Sequence, residues 1–223
     1  MFKHMVPFSA VLFDMDGVLV DSEMYWDINA KDFFALRGLT ITPELKRRLS
    51  GGAVPANVAW LKDAYGWPEP LEELLGQYNG FSERIYDEQA LPLAGVHSFL
   101  PLVKQKGYKT AIGSGSSLSR IQKIVDRFLW HDHFDTLISS EHVNGVGKPS
   151  PDIYLHAAST LGVAPGRCVV IEDSENGVKA AKAAGMMCIA IPDSRWSHGD
   201  FSQADMVCES MEDARLHRYI LGV

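Results

Sequence analysis

What this sequence lacks narrows its function before any motif does. It has three cysteines, Cys168, Cys188 and Cys208. They form no CxxC pair and their number is odd, so neither a disulfide framework nor a thiolate metal knuckle is expected. Cys168 and Cys188 lie in or beside apolar runs that read as strands, which points to buried, reduced thiols and a cytoplasmic protein. No window approaches about 18 uninterrupted apolar residues, and the opening MFKHMVPFS holds no apolar stretch of signal-peptide length. Membrane insertion is therefore not expected. Positive charge is scarce too: 21 Lys and Arg against 28 Asp and Glu leave a formal charge of −7. That argues against a broad nucleic-acid surface but leaves room for a local positive pocket. The one basic cluster, Lys46, Arg47 and Arg48, reads as a solvated helix face. Internal repeats and low-complexity tracts are absent.

What is present is a rhythm. The chain has 223 residues and is 46% hydrophobic, enough for a full core with a smaller insert. Short apolar runs, AVLFD (10–14), TAIGS (110–114), TLISS (136–140), CVVIED (168–173) and CIAIP (188–192), are bounded by Gly, Pro, Asp or Ser. They are too short for helices and apolar on both faces, as strands of a buried parallel sheet should be. Helical patterns lie between them in GVHSFLPLVKQKG, LSRIQKIVDRFL, PDIYLHAASTLG and SENGVKAAKAAG. Alternation of this kind means an α/β fold: a doubly wound, Rossmann-like parallel sheet. Residues 22–90 break the rhythm with Trp26, Ala30, Phe33 and Phe34 on one helix face, opened by Ser22, and no convincing strand. They read as an inserted α-helical cap domain, with residues 1–21 and 91–223 forming the catalytic core. Trp26 and Trp60 read as cap core.

Ligands of an open α/β sheet bind beyond the carboxyl ends of its strands, and polar groups collect at those ends here. Asp14 and Asp16 follow the first strand, two residues apart in extended chain, so both side chains can point the same way. Ser114, Gly115 and Ser116 follow the second, where hydroxyls and backbone N–H groups at a helix start make an anion cradle. Lys148 stands in GVGKPSPD, stiffened by Pro149 and Pro151. Glu172 and Asp173 follow the fourth. Each element alone is commonplace; their succession at strand ends is not.

Adding the charges leads to chemistry. Carboxylates from Asp14, Asp16, Glu172 and Asp173 converging in one crevice repel one another unless a cation sits among them. Oxygen ligands with no His or Cys nearby suit a hard divalent ion, Mg²⁺ foremost, which commonly keeps waters and takes a phosphate oxygen. With no activated Ser, Cys or His, the available nucleophile is a carboxylate. Asp14 is the expected one, forming an aspartyl phosphate. Asp16 is expected as general acid and base, with Lys148 and the Ser114–Ser116 segment on the phosphoryl group.

DMDGVL, Ser114, GKPSPDIY and IEDSENGVKAA together resemble the four motifs of the haloacid dehalogenase-like hydrolase superfamily, in order and spacing across essentially the whole chain. The insert after the first motif resembles the cap of the subfamily that includes β-phosphoglucomutase and phosphoglycolate phosphatase. The resemblance implies the same roles for Asp14, Asp16, Ser114 and Lys148. It further implies Mg²⁺ held by Asp14, the carbonyl of Asp16 and Asp173, with Glu172 in or next to that shell. The true dehalogenases of the superfamily lack the second aspartate of the first motif; this chain has Asp16, so the resemblance implies phosphoryl transfer in place of carbon–halogen cleavage. The expected activity is a Mg²⁺-dependent phosphatase of a small phosphorylated metabolite, a sugar phosphate by preference. A phosphosugar mutase is an alternative, although Trp26 and Val54 stand where the mutase pattern has His and Arg. A phospho-accepting regulator is the other. No nucleic-acid or membrane partner is expected, and a monomer is expected ahead of a dimer.

Overall fold

The computed structural model describes residues 8–42, 44–45, 48, 54–197 and 199–222. Within the expected basic cluster, Lys46 and Arg47 lie outside the described residues. The chain divides into two compact units: the stretch up to Glu23 with Ala90–Val223, and Met24–Gln89.

The larger unit is built on β1 (Ala10–Phe13), β2 (Lys109–Ser114), β3 (Thr136–Ser139), β4 (Cys168–Glu172), β5 (Met187–Ala190) and β6 (Met206–Val207). All pair in parallel, in the order β3-β2-β1-β4-β5-β6. Five of these are the apolar runs of the sequence. β6 has two residues at the sheet edge, too few to carry a pattern. β1 is central and entirely buried, with Ala10 opposite Lys109 on one side and Cys168 on the other.

Burial on both faces follows from the crossovers. Alternate β1 side chains Ala10 and Leu12 pack in one cluster with Ile153, Tyr154, Ala157 and Val178. These come from helices α6 (Asp152–Leu161) and α7 (Glu175–Ala183). Phe13 points the other way, edge-on to Phe99 and Phe134 at ring-centroid distances of 6.4 and 5.9 Å. Phe99 belongs to α4 (Val96–Gln105), and its ring lies 5.3 Å from that of His217 in α8 (Ala214–Leu221). α5 (Leu118–Arg127) follows β2 and buries Ile121, Ile124 and Val125. Apolar strands between two helical layers are the doubly wound architecture.

The smaller unit contains α1 (Glu23–Ala35, entered from the sheet unit), α2 (Val54–Tyr65), α3 (Leu71–Arg84) and a π-helical turn, Ile85–Gln89. Phe33 is its hub, its ring against those of Phe34, Trp67, Tyr78 and Phe81. The Arg37 guanidinium lies 4.2 Å from the Phe33 ring centroid, a cation–π contact within an apolar core. Trp60 packs against this core and Trp26 stacks on Tyr78 at 6.5 Å, so both indoles belong to the packing of the helical unit. Among the described residues, no helix is long and apolar enough to cross a membrane.

One close approach sets the fit of α6 on the sheet. A Cβ at Gly113 in β2 would stand 3.1 Å from the Tyr154 ring and 3.2 Å from Ile153 Cγ2. Gly113→Val should therefore destabilise the protein by about 1–3 kcal/mol through overpacking. Urea unfolding should register a lower midpoint with an unchanged m-value.

Candidate active site

The strand order reverses direction between β1 and β4. From β1 the chain builds outward to β2 and β3, then returns to lay β4, β5 and β6 on the other side. Such a switch point opens a crevice beyond the carboxyl ends of the two strands. Asp14 leaves β1 there and Glu172 ends β4, followed by Asp173. Lys148 comes from the loop before α6, through a cis bond to Pro149.

The loop after β1 aims its two acids by burying the residue between them. Asp14 N–H donates to Ile171 O at 3.0 Å, extending the pairing with β4 one step past the strand. The chain then turns tightly, with Leu19 and Val20 N–H groups donating to Met15 O. Met15 is fully buried, leaving Asp14 and Asp16 on the opposite side of the pleat. The turn needs Gly17 twice over: its φ is +82°, and a Cβ there would collide with the Asp173 carboxylate.

Lys148 is the junction of the site. Its ammonium is ion-paired with Asp14 and lies 2.6 Å from Glu172 Oε1, with its side chain only 11% exposed. Burial alone would lower the ammonium pKa, but Asp14 and Glu172 hold it above the usual lysine value. Burial pushes Asp14 up to about 8; Lys148 opposes this, while Glu172 and Asp16 add to it. Asp173 is also held well above its ordinary value, by burial first and then by Glu172, Asp14 and Glu23. Glu172 is pulled below its ordinary value, because Lys148 and its other donors outweigh its burial.

Serine hydroxyls hold the other acids. Asp16 accepts from Ser22 at 2.7 Å, from Ser116 at 2.8 Å and more distantly from Ser114 at 3.5 Å. Ser114 Oγ in turn accepts from the Ser116 N–H at 3.0 Å. The carbonyl of exposed Gly115 accepts from Ser140 at 2.9 Å, tying this loop to the end of β3. Ser197, after β5, donates to Asp173 at 3.1 Å. Asp14, Lys148, Glu172 and Asp173 thus form one hydrogen-bonded group and Asp16, Ser114 and Ser116 another, close enough that the Asp16 charge raises the Asp14 pKa, with Gly115 at the rim.

Glu172, expected in or next to the metal shell, is engaged at both carboxylate oxygens by donors of the protein. Its Oε1 accepts from Lys148 and from Tyr154 at 2.8 Å. Its Oε2 accepts from the Asp173 and Ser174 N–H groups and the Ser174 hydroxyl, at 2.8 to 3.0 Å. A carboxylate so engaged anchors Lys148 and the loop. Among the described residues, no group of three or more His, Cys, Asp or Glu side chains is arranged to hold a metal ion unaided. The donor set still fits a hard cation: Asp14 and Asp173 are buried acids held above their usual values, and Lys148 is the cation between Asp14 and Glu172.

Sequence reasoning misses Tyr154 and Ser197 altogether. Nothing local marks either, because their partners lie 18 and 24 residues away. Ser22 and Ser174 read from the sequence as helix openers alone. Ser174 does cap α7, accepting from Gly177 N–H, but it reaches Glu172 as well, and Ser22 reaches Asp16. The three thiols are free and buried, and burial pushes Cys168 and Cys208 up to about 11, so they are poor nucleophiles.

Comparison with known proteins agrees with this geometry. The family profile described as haloacid dehalogenase-like hydrolase matches residues 8–185. The chain is 34% identical to hexitol phosphatase B of Escherichia coli K12 over 188 residues, covering 82% of this chain and 83% of that one. It is 32% identical to a phosphorylated carbohydrates phosphatase of Thermotoga maritima, covering 79% and 82%. Its fold superposes on CbbY from Rhodobacter sphaeroides, crystallised with phosphate, at TM-score 0.80 and 26% identity, covering 97% and 100%. The chain therefore belongs to the haloacid dehalogenase-like hydrolases, and within them is a phosphoric monoester hydrolase.

Gly177 offers a structural test of the network. A Cβ there would overlap the Glu172 carboxylate. Gly177→Ala should displace Glu172, strand the buried Lys148 and destabilise the protein by about 2 kcal/mol or more, measured by denaturant unfolding.

Proposed function

We propose that this protein is a Mg²⁺-dependent phosphatase that hydrolyses a small phosphorylated metabolite, a sugar or sugar-alcohol phosphate, through an aspartyl phosphate on Asp14. The observation that carries this reading is the Lys148 ammonium seated against Asp14 and Glu172 at the switch point of the sheet. A buried positive charge thus lies beside the carboxylate proposed as nucleophile. The phosphatase names of the relatives support the substrate class.

In the first half-reaction an Asp14 carboxylate oxygen attacks phosphorus, and the bond from phosphorus to the sugar oxygen breaks. Asp16 gives its proton to the departing oxygen. In the second, Asp16 takes a proton from water, whose oxygen attacks phosphorus and frees Asp14 as phosphate leaves. Ser22 and Ser116 hold Asp16 within reach of both tasks. Ser114, the N–H groups of Gly115 and Ser116, and Lys148 hold the phosphoryl oxygens, so charge that develops there meets donors already in place. Asp14, Asp173 and the carbonyl of Asp16 would hold Mg²⁺. When bound it neutralises charge among the acids and the phosphoryl oxygens.

We assign the helical unit, residues 22–90, as the cap that sets substrate choice, and the surrounding chain as the catalytic core. The buried thiols suit a reducing compartment, and we place the enzyme in the cytoplasm.

Incubating the protein with a panel of sugar and sugar-alcohol phosphates should release inorganic phosphate. An isomerised phosphate product in its place would identify a mutase. Asp14→Asn should abolish turnover, and Lys148→Ala should lower kcat by about 100- to 1,000-fold, since it removes a charge that the transition state needs. Treatment with EDTA should silence the wild type, and added Mg²⁺ should restore it. Full activity in Asp14→Asn would overturn the assignment.

A further inference from the structure

Glu172 and Lys148 meet a third side chain that the reaction above does not use. Tyr154 is fully buried in α6. Its hydroxyl donates to Glu172 Oε1 at 2.8 Å, the same oxygen that lies 2.6 Å from Lys148 Nζ. Its ring centre is 4.9 Å from that ammonium. The contact has been given room, because Gly113 has no side chain where a Cβ would stand 3.1 Å from the ring.

We infer that Tyr154 is a positioning residue for phosphoryl transfer, acting through Glu172 to hold Lys148 where it faces both Asp14 and the incoming phosphoryl group. The inference rests on the phosphatase reading and adds a residue to it.

A lysine is a point charge on a flexible four-carbon stem and has no geometric preference of its own. Pairing with Asp14 does not supply one, since the ammonium must share its donors with the phosphoryl oxygens when substrate arrives. The lasting restraint is Glu172. Its Oε2 is fixed by the Asp173 and Ser174 N–H groups and the Ser174 hydroxyl. Tyr154 completes the restraint at Oε1. Its hydroxyl gives that oxygen a second donor, so the carboxylate keeps its orientation when Lys148 turns toward substrate. Sharing the oxygen also moderates the hold of Glu172 on the ammonium, and the ring face offers the ammonium an attractive wall. A phenylalanine would supply the wall and the packing, but not the donor.

Tyr154→Phe is the corresponding test, with kcat, KM and melting temperature measured beside wild type, Lys148→Ala and the double variant. The expected result is a loss of about tenfold in kcat, with KM changed by about twofold or less and a melting temperature within about 2 °C of wild type. In the Lys148→Ala background the same substitution should change the residual rate by about twofold or less, since the group it positions is gone. A side chain that merely packs would lower the rate by the same factor in both backgrounds, and that outcome would overturn the inference. So would a Tyr154→Phe enzyme within about twofold of wild type. If wild type released no phosphate from any panel member, the phosphatase reading would fall and take the positioning role with it. An active wild type beside an indifferent Tyr154→Phe would sink the positioning role alone.

Discussion

The whole arrangement depends on Lys148. Four acids from two strand ends, Asp14, Asp16, Glu172 and Asp173, surround the switch point of a parallel sheet, and three of them are buried. Carboxylates so placed cost several kcal/mol each when charged and uncompensated. Lys148 spans Asp14 and Glu172, and Asp14 and Asp173 still stand above their ordinary pKa values, burial being the largest cause for both. That residual imbalance is chemically useful. On the proposed reading, buried acids whose charged forms are disfavoured beside one ammonium would be brought to their ionised state by a bound cation, with a phosphate ester completing the neutralisation.

Backbone geometry keeps the acids from relaxing away from one another. Gly17 lets the chain turn against Asp173, and Gly177 lets α7 start against Glu172; in both places a methyl group would occupy the carboxylate's own space. Met15, buried between Asp14 and Asp16, locks the direction in which that pair points. Around this frame the serines act as adjustable donors, with Ser22 and Ser116 on Asp16, Ser174 on Glu172 and Ser197 on Asp173. A hydroxyl can rotate to donate or accept as protons move, which suits the proton transfers proposed for Asp16.

Much of the fold is readable because its signals are local. A run such as AVLF is buried on both faces in a central parallel strand, so the run itself states the architecture, and the spacing of Trp26, Ala30, Phe33 and Phe34 states a helix. β6 is invisible because two residues cannot show a period. The π-helical turn Ile85–Gln89 is equally hidden, since it continues the pattern of the helix before it. Within the candidate site, the acids and Ser114 are marked by their places at strand ends, and Lys148 by the Pro-stiffened loop GVGKPSPD. The engagement of Glu172 is not. It depends on Tyr154, on Ser174 and on a glycine five residues along, Gly177, and only the folded chain shows that these five oxygen and nitrogen contacts exhaust its carboxylate.

The central claim is that Asp14 carries the phosphoryl group during turnover. Rapid acid quenching of the enzyme during turnover of a phosphate ester, followed by peptide mass spectrometry, tests it most directly. The account predicts a phosphoryl group on the peptide containing Asp14, stable in acid and removed by hydroxylamine, and absent from Asp14→Asn. A phosphoryl group found on any other residue, or steady turnover with none on Asp14 under conditions that trap acyl phosphates, would contradict it.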